Sequence, residues 1–258
     1  MGRRASVVAG ALSSPDIPLA SVEDRSIVRL EAIDWRKFFS NKLQGLGLEI
    51  GPLHRPMLTH AGMDVHYVDR YSVEDLRAHY PELNELSLVE PHILDDAEVL
   101  STVKDGTYDF LIAAHVIEHM KNPLSSLEHW CRVVKPGGLI YMIVPDKRRT
   151  FDKQRVRTMV SHMVQDYLKP SPDKDFEHYI DYAIHVHQMR KPDDVLKEAQ
   201  RLLETDYSIH FHVFMPEDVV DLLLWFGEHI RPLSVIEGPH MSPGSDEFHF
   251  LLQVGKHH

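Results

Sequence analysis

The sequence predicts an α/β fold: a mostly parallel sheet with helices on both faces and an antiparallel addition at its end. Three observations predict it. Up to about residue 150, apolar β-type runs alternate with helical patterns, and strands joined through helices pair in parallel with both faces covered. The first run, "LGLEIG" (46–51), carries an acid, Glu49, and opens a turn at Gly51, as happens where open sheets bind ligands beyond their strand ends. Two strand-like runs then follow a strong helix near the end of the chain.

The elements follow in order. "WRKFFSNKL" (35–43) is an amphipathic helix, "GLGLEIG" (45–51) the first strand and "MDVHYVDR" (63–70) the second. "LSLVEPHI" (86–93) is a third strand, interrupted by Pro91. "YDFLIAAHV" (108–116) is the fourth and "GGLIYMIVPD" (137–146) the fifth. Between these two, Leu124, Leu127, Trp130, Cys131 and Val134 share one helical face, and Pro136–Gly137 is the stop signal. Residues 147–214 are polar, aromatic and His-rich, with a break at Pro170 and Pro172; they read as an insertion after the fifth strand. "MPEDVVDLLLWFG" (215–227) is a helix with Val219, Val220, Leu223 and Leu224 on its apolar side. "RPLSVIEG" and "DEFHFLLQVG" are the last two strands, antiparallel, joined by the turn-rich "PHMSPGS". The expected organisation is an N-terminal arm over 1–30 and one domain over 31–258, with 147–214 as its cap.

With 258 residues the chain can form one large α/β domain, or a domain plus a cap. Its net charge of −11 argues against nucleic acid, whose backbone demands clustered Lys and Arg. The local basic run from Asp146 to Arg157 reads as a solvated helix face. One cysteine, Cys131, excludes a disulfide framework and a Cys-based zinc site, fits a reducing, cytoplasmic setting and reads as a buried structural thiol. No stretch approaches the ~20 apolar residues of a membrane span. The apolar run near the start is broken by Pro15 and Pro18 and reads as part of the arm rather than a leader. The closing His257–His258 pair carries no argument.

The turn at Gly51 narrows the ligand. A dinucleotide loop needs glycines in the pattern G-x-G-x-x-G to admit pyrophosphate. Here the pattern reads Gly51-Pro52-Leu53-His54-Arg55-Pro56, so two of its three glycines are absent. Asp69, at the tip of the second strand and 18 positions after Gly51, is placed to accept both hydroxyls of a ribose; its other reading is a turn cap. Ribose recognition without a phosphate cradle suits S-adenosylmethionine and excludes a nicotinamide oxidoreductase.

These residues carry a resemblance. "LEIGPLHRP…YVDR…LDDAE…YDFLIAAHVIEHM…VVKPGGLIYMIVPD" resembles a class I S-adenosylmethionine-dependent methyltransferase over about residues 45–146. "PDKRRTFDKQR", "HMVQDY" and "SIHFHVFMPEDVVDLL" resemble a bacterial subgroup often associated with glycosyltransferases. The resemblance implies a Rossmann-like seven-stranded sheet, S-adenosylmethionine as cofactor and S-adenosylhomocysteine as product. It assigns the cofactor to Glu49, Gly51, Pro52, Asp69, Arg70, Ala114 and His115, and the adenine-facing acid to Asp96, with Asp95 as the alternative. The chain departs from the pattern at Leu53 and Arg55, where many relatives carry glycine; Arg55 could instead pair with a carboxylate.

Methyl transfer is an in-line displacement, so the protein aligns the nucleophile and excludes water, and a hydroxyl acceptor needs a base. Amino-methylating relatives carry Asn-Pro-Pro-Tyr at the tip of the fourth strand; here Ala114 and His115 stand there, and His115 is the candidate base or substrate contact. Glu118 and His119 read as structural. In the insertion, His162, His185 and His212 are expected to line an acceptor pocket. The pairs "HVH" and "HFH" could each hold a metal with Asp166 or Asp181, but no metal is assigned. Tyr167, Tyr179, Tyr182, Phe151 and Phe176 read as cap core before sugar-stacking surface. The expected activity is methylation of a small-molecule or glycan acceptor, with O-methylation of a sugar hydroxyl as the leading form. The alternative is a cofactor-binding module without turnover in a glycan assembly complex.

Overall fold

A computed structural model describes residues 33–255. The expected arm over 1–30 and the His257–His258 pair lie outside the described residues. The chain order is helix α1 (Trp35–Ser40), strands β1 (Gly45–Ile50) and β2 (Met63–Asp69), α2 (Val73–His79), β3 (Ile93–Leu94), β4 (Tyr108–Ala114), α3 (Pro123–Val133) and β5 (Val134–Pro145). After these come α4 (Val160–Leu168), α5 (Pro172–His185), α6 (Pro192–Glu204), α7 (Pro216–His229), β6 (Leu233–His240) and β7 (Glu247–Val254).

The strands form one seven-stranded sheet in the order β3-β2-β1-β4-β5-β7-β6. The first five strands pair in parallel, and β7 runs antiparallel to both β5 and β6. The strand order reverses between β1 and β4, which opens a crevice at their carboxyl ends. The fold is the Rossmann-like sheet that the sequence predicts.

The sheet is buried on both faces, so its central strands are almost continuously apolar. One face packs Leu48, Leu111, Ile140 and Met142 against Leu127 and Trp130 of α3 and Leu222 and Phe226 of α7. The other packs Phe110, Ile112, Tyr141 and Ile143 against Phe39 and Leu43. Gly47 in β1 lies under the Phe110 ring, where a Cβ would meet the ring at 2.0 Å. Helix starts are chemically marked: Asp34 accepts from the Lys37 amide, and Asn122 accepts from the Ser125 amide ahead of Pro123. Cys131 is buried, and burial pushes its thiol up to about 12, which leaves it inert.

Several expectations are corrected. The third strand shrinks to Ile93–Leu94, since Pro91 cannot donate to a ladder. Helix α3 stops at Val133, three residues before the Pro136–Gly137 signal, because Val134 already pairs with Tyr108 of β4. On α7 the buried face is Val219, Leu222, Leu223 and Phe226, while Leu224 is 62% exposed. The basic run 146–157 is not a solvated helix face. It forms two 3-10 turns; Asp152 in the second and Arg155 just after it are buried and paired at 2.9 Å, and Arg155 also reaches Asp181 at 2.6 Å. Tyr179 is fully buried with Ala199, Leu202, Ile209 and Phe211, and Phe176 and Tyr182 pack on that cluster, so these rings are core.

Candidate active site

A cavity of about 420 Å³ opens at the carboxyl ends of the parallel strands. Ile50, Gly51 and Leu53 form one wall, Asp69, Arg70 and Tyr71 the next, Asp96, Ala97 and Glu98 the floor beyond β3. His115, Val116, His119 and Lys121 follow β4, and Asp206, Tyr207, Ser208 and Phe211 close the mouth from the segment before α7.

Gly51 takes φ +58° and a side chain there would point into open space, so the backbone itself faces the crevice. Leu53 takes φ +47°, a left-handed conformation that glycine adopts without cost. The missing glycine of the loop is therefore missing in sequence but not in backbone geometry. His115, at φ +56°, and Asp206, at φ +45°, are left-handed as well, so three residues around one cavity hold sparsely populated backbone.

Glu49 does not line the cavity. It is buried at the end of β1, and its two oxygens accept from the Met57 amide at 2.9 and 3.1 Å, clasping the loop after Gly51. Burial pushes its carboxyl up to about 7, against the Met57 hydrogen bond and the charge of Arg36. Pro52 is buried, and neither it nor Ala114 lines the cavity. Asp95 is turned away: it accepts from Ser101 Oγ at 3.1 Å and from the Thr102 amide and hydroxyl, both at 2.7 Å. Asp96 lines the cavity, which selects it from the pair. Arg55 is exposed and outside the cavity. Asp69 faces the cavity with its carboxyl pushed up by burial, opposed by the Tyr71 and Arg70 amides. Of the expected cofactor residues, the fold gathers Gly51, Asp69, Arg70, Asp96 and His115, and leaves Glu49, Pro52, Asp95 and Ala114 behind or beside them.

His115 sits at the centre of a charged relay. Its Nε2 lies 2.8 Å from Glu247 Oε2 and its Nδ1 lies 3.6 Å from Glu118 Oε1. Glu247, at the start of β7, accepts a bidentate pair from Arg36 at 2.9 and 2.7 Å. Burial would lower the imidazole's pKa, but the Glu247 hydrogen bond and the Glu118 charge outweigh it, and the pKa is raised. Glu118 is fully buried with neither oxygen hydrogen-bonded, and burial raises its pKa. His119, next along, is pushed down to about 3 by burial and is neutral at pH 7.

Sequence reading missed Glu247, Arg36 and Asp206, and it took Glu118 as structural, whereas Glu118 lies beside His115. Arg36 and Glu247 are 211 residues apart, and no local pattern links them. Asp206 bridges Arg70 at 3.0 Å and Lys121 at 3.2 Å across the mouth. The expectation that His162, His185 and His212 line an acceptor pocket is revised: none lines this cavity. His185 faces Asp181 at 3.6 Å, while His162 and His212 meet elsewhere. "HFH" (210–212) is not a strand, and His210 and His212 point into different clusters.

Among the described residues, no helix is long and apolar enough to cross a membrane. A family model described as "Methyltransferase domain" matches residues 25–179, more than half of the chain. No curated protein matches. Similar solved structures include the CurJ carbon methyltransferase, at 12% identity and TM-score 0.44; the match covers 82% of this chain, and the chain spans about half (48%) of that protein's length. A SAM-dependent methyltransferase from Methanosarcina mazei is 19% identical, with 84% of this chain and 97% of that chain covered and a TM-score of 0.43. The plantazolicin methyltransferase BamL, in complex with a triazolic desmethylPZN analogue and SAH, is 12% identical, with 86% and 82% covered and a TM-score of 0.46. The family match takes in every parallel strand and the crevice between them; the chain belongs to the class I S-adenosylmethionine-dependent methyltransferases, and its cofactor is S-adenosylmethionine.

Proposed function

We propose that this chain O-methylates a hydroxyl of a sugar or other small molecule, with Gly51, Asp69, Arg70 and Asp96 around the cofactor and His115 as the base. The observation that carries the reading is the shared cavity of Asp69 and His115, the latter backed by the Arg36–Glu247 pair. The residues fit the cofactor. An open backbone at Gly51 and a carboxylate at Asp69 suit a nucleoside, and the two cavity cations, Arg70 and Lys121, are both paired with Asp206 rather than presented to a phosphate. When bound, the cofactor supplies an activated methyl group on sulfur.

Asp69 accepts the ribose hydroxyls, and Asp96 faces the base. Glu247 holds His115 through Nε2 and fixes the ring, leaving Nδ1 to take the acceptor's proton. Residues 147–214 act as a cap on a domain spanning 31–258, and the Asp206 bridges hold that cap against the cavity mouth and exclude water. Tyr71, Tyr80 and Tyr207 supply ring faces and hydroxyls that support a sugar acceptor. A glycosyltransferase partner and a cytoplasmic setting complete the reading; pull-down with such an enzyme tests the first.

Calorimetric titration with S-adenosylhomocysteine tests the site. Two charge-assisted hydrogen bonds are worth roughly 1.5–3 kcal/mol each, so Asp69→Ala should weaken binding by at least about tenfold. Undiminished affinity overturns the site. A methyl-release assay on activated sugars tests the reaction; binding with no turnover on any acceptor leaves a cofactor-binding module.

A further inference from the structure

Away from the cofactor cavity, α4, α5 and the extended segment 207–214 bring four side chains together. His162 and Asp166 stand one turn apart on α4, His178 projects from α5, and His212 comes from the segment. One ligand atom from each lies within 4.8 Å of all the others. His162 Nε2 is 3.1 Å from Asp166 Oδ2 and 3.4 Å from His178 Nε2. Ligand atoms at ~2.0–2.1 Å from a tetrahedral ion are separated by about 3.3 Å, so these two edges already match.

The outer contacts aim the donors inward. His212 is fully buried; its Nε2 lies 3.3 Å from the Lys121 carbonyl, which makes that nitrogen the donor and leaves a lone pair on Nδ1. That Nδ1 is buried with no hydrogen-bond partner, and so is Asp166 Oδ2. The other oxygen, Asp166 Oδ1, accepts from Lys174 Nζ at 3.0 Å. Burial pushes His212 down to about 3 and His178 down to about 4, so both are neutral at pH 7. Asp166 resists the opposing effect of burial through the neighbouring His162 imidazole and the hydrogen bond from Lys174, and is lowered to about 2. A neutral His178 and His212 and an ionised Asp166 are in the protonation states that metal binding requires. The second His cluster, Glu118, His119 and His210, brings together three side chains rather than four.

We propose that His162, Asp166, His178 and His212 form a four-ligand site for one divalent transition-metal ion, zinc by preference, which ties α4 and α5 to the segment that closes the cofactor cavity. Three nitrogens and one oxygen suit zinc and its neighbours and disfavour calcium and magnesium, which take oxygen. Four protein ligands make the ion a crosslink rather than a catalyst. The absence of cysteine removes only the thiolate kind of zinc site, and the pairing of ligands is not the one "HFH" and "HVH" suggest.

The test uses the full chain, stripped by a chelator and dialysed. Calorimetric titration with Zn²⁺ should show one ion per chain and a higher melting temperature with zinc bound. Co²⁺ should give the intense visible bands of a four-coordinate site, a readout that needs no variant. Even an outer-shell partner is worth ~10–100-fold in affinity, so half-exposed His162→Ala and Asp166→Asn should each weaken Zn²⁺ by at least about tenfold. His185→Ala, and removal of His257 and His258, should leave binding unchanged. Absence of stoichiometric binding, six-coordinate Co²⁺ bands, wild-type affinity in both ligand variants, or binding that disappears with the terminal histidines would each overturn the site.

Discussion

His115 shows how one residue's chemistry depends on its neighbours. A lone histidine at a strand tip titrates near neutrality, whereas here Glu247 and Glu118 raise its pKa. A base must be unprotonated, so turnover should be lost as pH falls through a value above 6.5. Glu247→Gln removes the largest raising influence, and the acid limb of the kcat profile should move to lower pH. An unmoved limb would take His115 out of proton transfer. His115→Ala should lower kcat by ~10²–10⁴-fold, with S-adenosylhomocysteine affinity largely kept. That Asp69 and His115 line the crevice was legible because each ends an apolar run at a place where open sheets bind ligands. Glu49 was legible as an acid but not as a clasp, since its partner is the Met57 amide eight residues on.

At the scale of elements, β1 depends on having no side chain at Gly47. An added Cβ would lie 2.0 Å from the Phe110 ring, which is fully buried between strands and cannot move freely. Gly47→Ala should therefore destabilise the chain by about 1–3 kcal/mol, seen as a lower denaturant midpoint with an unchanged slope. A midpoint equal to wild type would show that the ring has room to yield. The central strands and α3 were readable because buried parallel strands are continuously apolar and α3 repeats its apolar residues at helical spacing. Their ends were less so. Pairing with β4 draws Val134 into β5 ahead of the Pro136–Gly137 stop, and α7 turns its Leu223 side, not Leu224, to the sheet. Neighbouring elements, not propensity, decide such boundaries.

For the whole molecule, the segment before α7 and the sheet meet at Asp206. Its carboxylate is about half exposed and reaches both Arg70 at the tip of β2 and Lys121 after β4. Asn keeps the left-handed backbone and loses the charge. Exposed pairs are worth ~0.2–1 kcal/mol each, so losing both with Asp206→Asn should weaken S-adenosylhomocysteine binding by about 2- to 30-fold, through faster dissociation. The difference from wild type should shrink at high salt. A salt-independent difference would point to backbone disruption instead. By itself the sequence determined the αβ order, an acid at the tip of β2 that lines the cavity and the class of cofactor, because periodicity, turn residues and strand-end chemistry are local properties of the chain. Only the tertiary structure decided that Arg36 and Glu247 stand behind His115, that Asp96 rather than Asp95 faces the cavity, and that His162, Asp166, His178 and His212 converge. Those groups meet across tens to hundreds of residues, and packing sets their distances, which no local pattern encodes.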